Sequence, residues 1–255
     1  SNEGIFSTQH NMQNTSISLG GQVGKIPEFM FGSLPLTSIT IPATVTEISN
    51  DAFTDCNKLR SITFESSATP LTVGYNTAGD DEGLFAESPL VSVVLDREIN
   101  YTFPDPDSPT EGLFGNKPAL TSITIGDNVK TLSGYMFADA GVTSFNLNKV
   151  TTIGNGALMG IKFSDITIPA TVTSIGDYAF KNCTSLTNLT FASGSSDLTI
   201  GFQPGTAQYG PFYQSPLTEI IVNRSLVLSE DYADACDSSN EGIFSTQHNM
   251  QNTSI

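Results

Sequence analysis

Residues 36–64 read LTSITIPATVTEISNDAFTDCNKLRSITF and residues 163–191 read FSDITIPATVTSIGDYAFKNCTSLTNLTF, so IPATVT at Ile41 returns unchanged at Ile168, 127 residues later. The likeness continues outward from both copies. LTVG at Leu71 returns as LTIG at Leu198, SPL at Ser88 as SPL at Ser215, and Asp96-Arg97 as Asn223-Arg224. A unit that recurs at fixed period buries its apolar face only against its neighbours, so this pattern predicts a solenoid.

A shorter period lies inside the long one. Segments of the form apolar-x-x-apolar-x-apolar begin at Asn14, Leu36, Leu59, Leu90, Leu120, Val142, Phe163, Leu186 and Leu217, with a truncated one at Asn252. Each is rich in Ile, Val, Thr and Phe and alternates at period 2, the signature of a half-buried strand. The expected fold is therefore a stack of parallel strands in about nine coils of 21 to 35 residues, with little regular helix, forming one domain over residues 1–255. The longer coils carry extra loops at 65–88, 96–119, 192–215 and 223–249. An aromatic or Leu precedes most strand starts by five or six residues, at Phe31, Phe53, Phe85, Phe114, Phe137, Leu158, Phe180 and Phe212, which predicts a stacked inner spine.

With these columns in place, the chain resembles the BspA (treponemal) type of leucine-rich repeat. Leu36, Ile39, Ile41, Pro42, Val45, Ile48, Ala52, Phe53, Cys56 and Leu59 follow its pattern, as do Phe163, Ile166, Ile168, Pro169, Val172, Ile175, Ala179, Phe180, Cys183 and Leu186. The likeness is strong at these two units and weaker at the long coils. No Asn ladder follows the strand as in other leucine-rich repeats; Pro42 and Pro169, which cannot donate to a further ladder bond, end it instead. The resemblance implies a secreted or cell-surface binding role, on the outer surface of a bacterium, often in adhesion.

Composition narrows the alternatives. Apolar residues make up 38% of the 255 and charged ones 14%, too apolar and too uncharged for a disordered tail. Ten basic groups against 26 acidic ones give a net charge of -16, which argues against nucleic acid and against anionic membrane surfaces, since both demand a basic face. No apolar run approaches a membrane span, and SNEGIFSTQH at the start has neither the basic start nor the apolar middle of a signal peptide. Residues 1–17, SNEGIFSTQHNMQNTSI, recur without a change at 239–255; a perfect 238-residue period and a cloning duplication account for this equally.

Catalytic chemistry finds few parts. The histidines, His10 and His248, are one position counted twice by that duplication, and neither has a nucleophile arranged around it. Cys56 and Cys183 hold equivalent places in two repeats and read as small buried hydrophobes, leaving Cys236 as the reactive candidate. GGQVG at Gly20 lacks the Lys and helix of a phosphate loop and reads as a turn. Acidic groups at Asp80-Asp81-Glu82, at Asp105 with Asp107, and at Asp231, Asp234 and Asp237 read as solvated loop acids, with a weak calcium site as the alternative. No cofactor and no resident metal is expected. A carbohydrate-active β-solenoid enzyme would need sugar platforms beside converging acids, and the chain has no Trp.

The strands instead present a face. With Leu36, Ile39 and Ile41 inward, Ser38 and Thr40 point out, followed by Ser61 and Thr63, Ser122 and Thr124, Ser144 and Asn146, Asp165 and Thr167, and Asn188 and Thr190. Val94 and Ile221 interrupt this hydroxyl surface with Arg97 and Arg224 nearby, an arrangement read as interface anchors unless the long loops cover them. The expected function is a non-catalytic binding module for an extracellular protein or glycan. The alternative is a rigid spacer within a larger surface protein.

Overall fold

The computed structural model describes residues 15–75, 83–101, 112–147, 149–201, 210–229 and 244. The acidic clusters, both histidines, Cys236, Asn14 and the segment starting at Asn252 lie outside these residues. Two compact units divide the chain, Ser1–Val129 and Lys130–Ile255. Their lengths mirror the 127-residue offset of the sequence.

The first unit contains β1 (Thr15–Ile17), β2 (Lys25–Ile26), β3 (Leu36–Ile41), β4 (Glu47–Ile48), β5 (Ser61–Phe64), β6 (Leu71–Val73), β7 (Ser92–Leu95), β8 (Ile99–Tyr101) and β9 (Ser122–Ile125). Odd-numbered strands form one parallel sheet in the order β1-β3-β5-β7-β9, and even-numbered strands a second in the order β2-β4-β6-β8. The second unit contains β10 (Thr131–Leu132), β11 (Thr152–Ile153), β12 (Asp165–Ile168), β13 (Ser174–Ile175), β14 (Asn188–Phe191), β15 (Leu198–Ile200), β16 (Glu219–Val222) and β17 (Leu226–Leu228). Here the front sheet runs β12-β14-β16 and the rear sheet β10-β11-β13-β15-β17. The predicted winding is thus observed: pairing is parallel throughout, one coil to the next, and the described residues include no helix.

One coil shows how the sequence makes the turn. Alternation in LTSITI buries Leu36, Ile39 and Ile41 and turns Ser38 and Thr40 outward. Pro42 then stops the strand, and its carbonyl accepts from Val45 N–H at 3.1 Å, closing a corner that buries Val45. A second strand of two residues, Glu47–Ile48, follows. The third side is built at the spine residue, whose neighbours two before and two after have positive φ: Asp51 (57°) and Asp55 (58°) around Phe53, Tyr135 (49°) and Asp139 (55°) around Phe137, and Gly156 (59°) and Gly160 (68°) around Leu158. Alternate N–H groups of this turn point to the next coil. Tyr135, Phe137 and Asp139 donate to the carbonyls of Asn155, Ala157 and Met159 at 2.8, 3.0 and 2.7 Å, and Gly156, Leu158 and Gly160 repeat the pattern on Asp177, Ala179 and Lys181. The backbone is therefore satisfied on all three sides of the coil without any helix.

The spine predicted from the sequence is present. Its eight members are buried, with ring centroids 5.1 Å apart from Phe31 to Phe53 and from Phe53 to Phe85, 5.7 Å from Phe85 to Phe114, and 5.2 Å from Phe180 to Phe212. These separations suit offset aromatic contacts at the spacing set by stacked strands. Phe244 continues the column, 5.8 Å from Phe212.

One strand expectation needs correction. The segment at Val142 is not a strand; a bond from Lys162 N–H to the Val142 carbonyl at 3.2 Å ties its start to the coil that follows. Phe145 stands where other coils have Ile, and its ring lies 5.8 Å from Phe137 and 5.4 Å from Phe163. The Phe145 ring packs against these two rings where the paired coils carry an aliphatic residue, and Asn146 adds low strand propensity. The short rear strands, by contrast, were not expected.

Candidate functional site

Register turns the front sheet of the first unit into two rows of side chains. Ser16 pairs with Ser38, Ser38 with Ser61, Ser61 with Ser92, and Ser92 with Ser122, giving five serines across five strands. Ser92 Oγ donates to Ser61 Oγ at 2.9 Å within this row. Two residues on, Thr40, Thr63, Val94 and Thr124 form the second row. Thr40, Val94 and Thr124 are exposed, while Ser38, Ser61 and Thr63 are half-buried. Val94 keeps 36% of its surface in solvent although strands flank it on both sides. Hydroxyls and one aliphatic carry no charge, so these rows offer hydrogen bonds and a small apolar contact.

In the second unit the rows are more polar. Asp165, Asn188 and Glu219 lie in one, and Thr167, Thr190 and Ile221 in the other, with Ile221 at 41% exposure. Ser144 and Asn146 are exposed but sit on the segment that fails to pair. A concavity of about 420 Å³ opens between that segment and β12, lined by Ser144 to Leu147, Phe163, Asp165 to Thr167, and Pro169. On the first unit a smaller one of about 250 Å³ is lined by Ser16 to Leu19, Ser38 to Thr40, Pro42 and Glu65.

Arg97 and Arg224 do not belong to this face. Arg97 is wholly buried and Arg224 keeps 7% exposure, so neither presents a cation beside Val94 or Ile221. Arg97 donates through Nη1 to the Pro42 carbonyl at 3.3 Å and through Nη2 to the Thr69 carbonyl at 2.9 Å. Arg224 donates to Pro169, Ala170 and Val172 through Nη1 and to Ser196 and Asp197 through Nη2, at 2.7 to 3.4 Å. The corner after each strand leaves carbonyls with no ladder partner, and a planar guanidinium supplies several donors at once to such a cluster. Desolvation pulls the Arg97 pKa below its ordinary value.

The buried thiols serve the fold as well. Cys56 Sγ contacts the Phe31 carbonyl at 3.2 Å and Cys183 Sγ the Leu158 carbonyl at 3.3 Å, each reaching the spine residue of the preceding coil. Ser215 does the same to the Phe180 carbonyl at 2.7 Å. Burial raises both thiols to about 12, so neither forms the thiolate that nucleophilic chemistry needs. Among the described residues no group of three or more His, Cys, Asp or Glu is placed to hold a metal ion.

Coil by coil, the molecule is a parallel-strand solenoid repeat protein with an apolar spine. Its sequence matches the BspA type leucine-rich repeat region in six copies over residues 2–77 and 110–226, and the chain belongs to that family. Solved structures with similarity include a leucine-rich cell surface protein from Faecalibacterium prausnitzii, at 21% identity and a TM-score of 0.47, covering 86% of this chain and 66% of that one. Another is a leucine-rich repeat protein from Bacteroides ovatus, at 18% identity and a TM-score of 0.47, covering 86% and 70%. No curated protein is matched by the chain.

Proposed function

We infer that this chain is a non-catalytic binding module displayed on or released from the bacterial cell surface, and that it holds an extracellular protein or glycan on the front sheet of its first unit. The observation that carries this reading is Val94: an aliphatic side chain left 36% exposed in the middle of a row of hydroxyls. An apolar contact ringed by uncharged donors and acceptors suits an interface core with a wet rim. Membership of the BspA type leucine-rich repeat family supports a cell-surface setting.

The test is binding by the labelled chain, at about 10 μM, to an array of glycans and a panel of purified extracellular matrix proteins. Saturable binding to at least one member, lost in Val94→Glu and retained in Ile221→Glu, is the expected result. Absence of any binder overturns the reading. The spacer alternative draws on a separate observation, the two arginines that each tie coils 52 to 55 residues apart in sequence and so stiffen the stack. Under that reading, removing whole coils in register shortens reach and leaves every other property of the parent protein intact.

A further inference from the structure

β12 is an edge strand inside the second unit. It heads the order β12-β14-β16, and Ser144 to Leu147, on the preceding coil, do not pair with it. In a parallel ladder, alternate residues turn their N–H and C=O groups to opposite neighbours. The carbonyls of Ser164 and Ile168 accept from Asn188 and Ala192 on the following coil, at 3.3 and 2.9 Å. The backbone groups of Asp165 and Thr167 therefore face the preceding coil, where no strand meets them. Such an edge is a template for pairing with another chain.

The concavity of about 420 Å³ opens on this edge, within the range of about 300 to 1,000 Å³ that ligand sites occupy. Its lining combines the half-buried ring of Phe145, 5.4 Å from that of Phe163, with the exposed carboxylate of Asp165. Asp165 accepts the Ser164 hydroxyl at 2.7 Å and makes no ion pair among the described residues. Lys162, three residues earlier, is exposed and forms none with it. Asn188 and Glu219 continue the row that Asp165 begins.

We propose that β12 takes up a strand from another polypeptide, an extended segment running parallel to it with a basic residue beside Asp165 and an aliphatic one beside Ile166. Strand addition supplies backbone bonds to Asp165 and Thr167. Alternation then sets the side chains. The residue in register with Asp165 points outward, where an ammonium or guanidinium meets the carboxylate. Its successor points inward toward the rings of Phe145 and Phe163, and the next lies beside the Thr167 hydroxyl. Charge selects a basic segment over an acidic one, since Asp165 and Glu219 share the row and the chain carries a net charge of -16. This site lies in the second unit and is independent of what Val94 contacts in the first.

The experiment uses the full chain and a fluorescein-labelled hexapeptide with blocked ends, Thr-Val-Lys-Ile-Thr-Val, followed by fluorescence anisotropy. Saturable binding with a Kd below about 1 mM is expected. Asp165→Asn weakens it about fivefold, the scale of an exposed charge pair. Thr167→Pro removes a donor that faces the gap, at an edge position where proline is tolerated, and weakens binding at least about tenfold. Val94→Glu binds the peptide as wild type does. Absence of saturable binding, equal binding of a peptide with Glu in place of Lys, or equal binding by Thr167→Pro overturns the proposal.

A second measurement needs no variant. A hexapeptide N-methylated at Ile and both Val lacks the donors that reach β12 and is expected not to bind. The unmodified peptide slows hydrogen exchange at the Asp165 and Thr167 amides of the wild-type chain. Exchange there that is unchanged at saturating peptide overturns the proposal as well.

Discussion

Arg224 Nη1 donates to the carbonyl of Val172 at 2.7 Å, joining residues 52 positions apart. Arg224 Nη1 also reaches the Pro169 carbonyl at 3.4 Å, and Arg97 makes that matching contact on Pro42 at 3.3 Å in the first unit. Both guanidinium groups fill corners where Pro42 and Pro169 end the ladder, so their removal strips donors from several corner carbonyls and leaves the Val172 carbonyl without its 2.7 Å bond. Arg224→Met is expected to cost about 3 kcal/mol, the scale of charged hydrogen bonds left unmade. Arg224→Lys recovers less than half of that, because an ammonium cannot reach carbonyls on two coils at once. Urea unfolding of the three proteins checks this, and a lysine variant as stable as wild type would sink it.

Phe53 sits midway between two other rings, 5.1 Å from each. Truncation to Ala removes contacts on both sides and leaves a cavity that the flanking coils are too tightly laddered to close. The expected loss is about 3 to 5 kcal/mol. Phe53→Leu costs about 1 kcal/mol, since Leu158 fills the same place in the second unit without breaking the stack. Denaturant midpoints for the two variants decide the matter; an alanine variant within about 1 kcal/mol of wild type contradicts a continuous spine.

Much of this was legible before any coordinates. Ile39, Ile62 and Ile166 are buried and Thr40, Val94 and Thr167 exposed as period-2 alternation required, because a strand in a stack has only two faces. The arginines were not legible. Arg97 and Arg224 follow strands that expose Val94 and Ile221, and only the position of carbonyls two coils earlier turns them inward. The rear strands escaped for a different reason: two residues such as Glu47–Ile48 are too short to display a period. A signal for the third side was present and went unread, in the Asp, Asn and Gly residues two places from a spine residue, at Asp51, Asp55, Asn182, Gly156 and Gly160, types that tolerate left-handed backbone.

Gly156 and Tyr135 occupy the same place in adjacent coils, and both have positive φ. Backbone conformation alone does not demand glycine there, since Tyr135 and Tyr178 adopt it with full side chains. Space does: a Cβ on Gly156 would collide with the ring of Tyr135, which folds over it. Gly156→Ala is therefore expected to cost about 1 to 2 kcal/mol, and Tyr135→Ser to rescue most of the loss in the double variant. Additive effects in thermal unfolding would show that the ring is not the cause.

Burial raises the Cys56 thiol to about 12, helped by the charge of Glu87, and burial does the same for Cys183. In the unfolded chain a thiol ionises near ~8.5. Each group thus contributes stability that is complete below that value and is lost as pH rises toward 12, at about 1.4 kcal/mol per thiol per pH unit inside the window. Replacing both with Ser, which already makes this contact at Ser215, flattens the decline between pH 9 and pH 11 without a large change at pH 7. Unfolding followed in urea across that range tests it, and equal slopes for the two proteins refute the assignment. Native Cys56 and Cys183 should also resist a thiol reagent until the chain unfolds.

Phe145 is where the front sheet of the second unit fails to extend. Its ring packs against those of Phe137 and Phe163, at 5.8 and 5.4 Å, while Ile at the matching position, as at Ile39 or Ile166, accompanies pairing. Phe145→Ile removes the bulk of the ring and lets Ser144 to Leu147 approach β12. Two consequences follow from one cause: the concavity of about 420 Å³ closes, and backbone amides of Ser144 to Leu147 and of β12 gain partners. Hydrogen exchange in those two segments is expected to slow by about tenfold or more, as each new ladder bond adds to local opening free energy. Exchange that stays as fast as in wild type would mean that Asn146, with its poor fit to a pleated strand, holds the segment off the sheet instead.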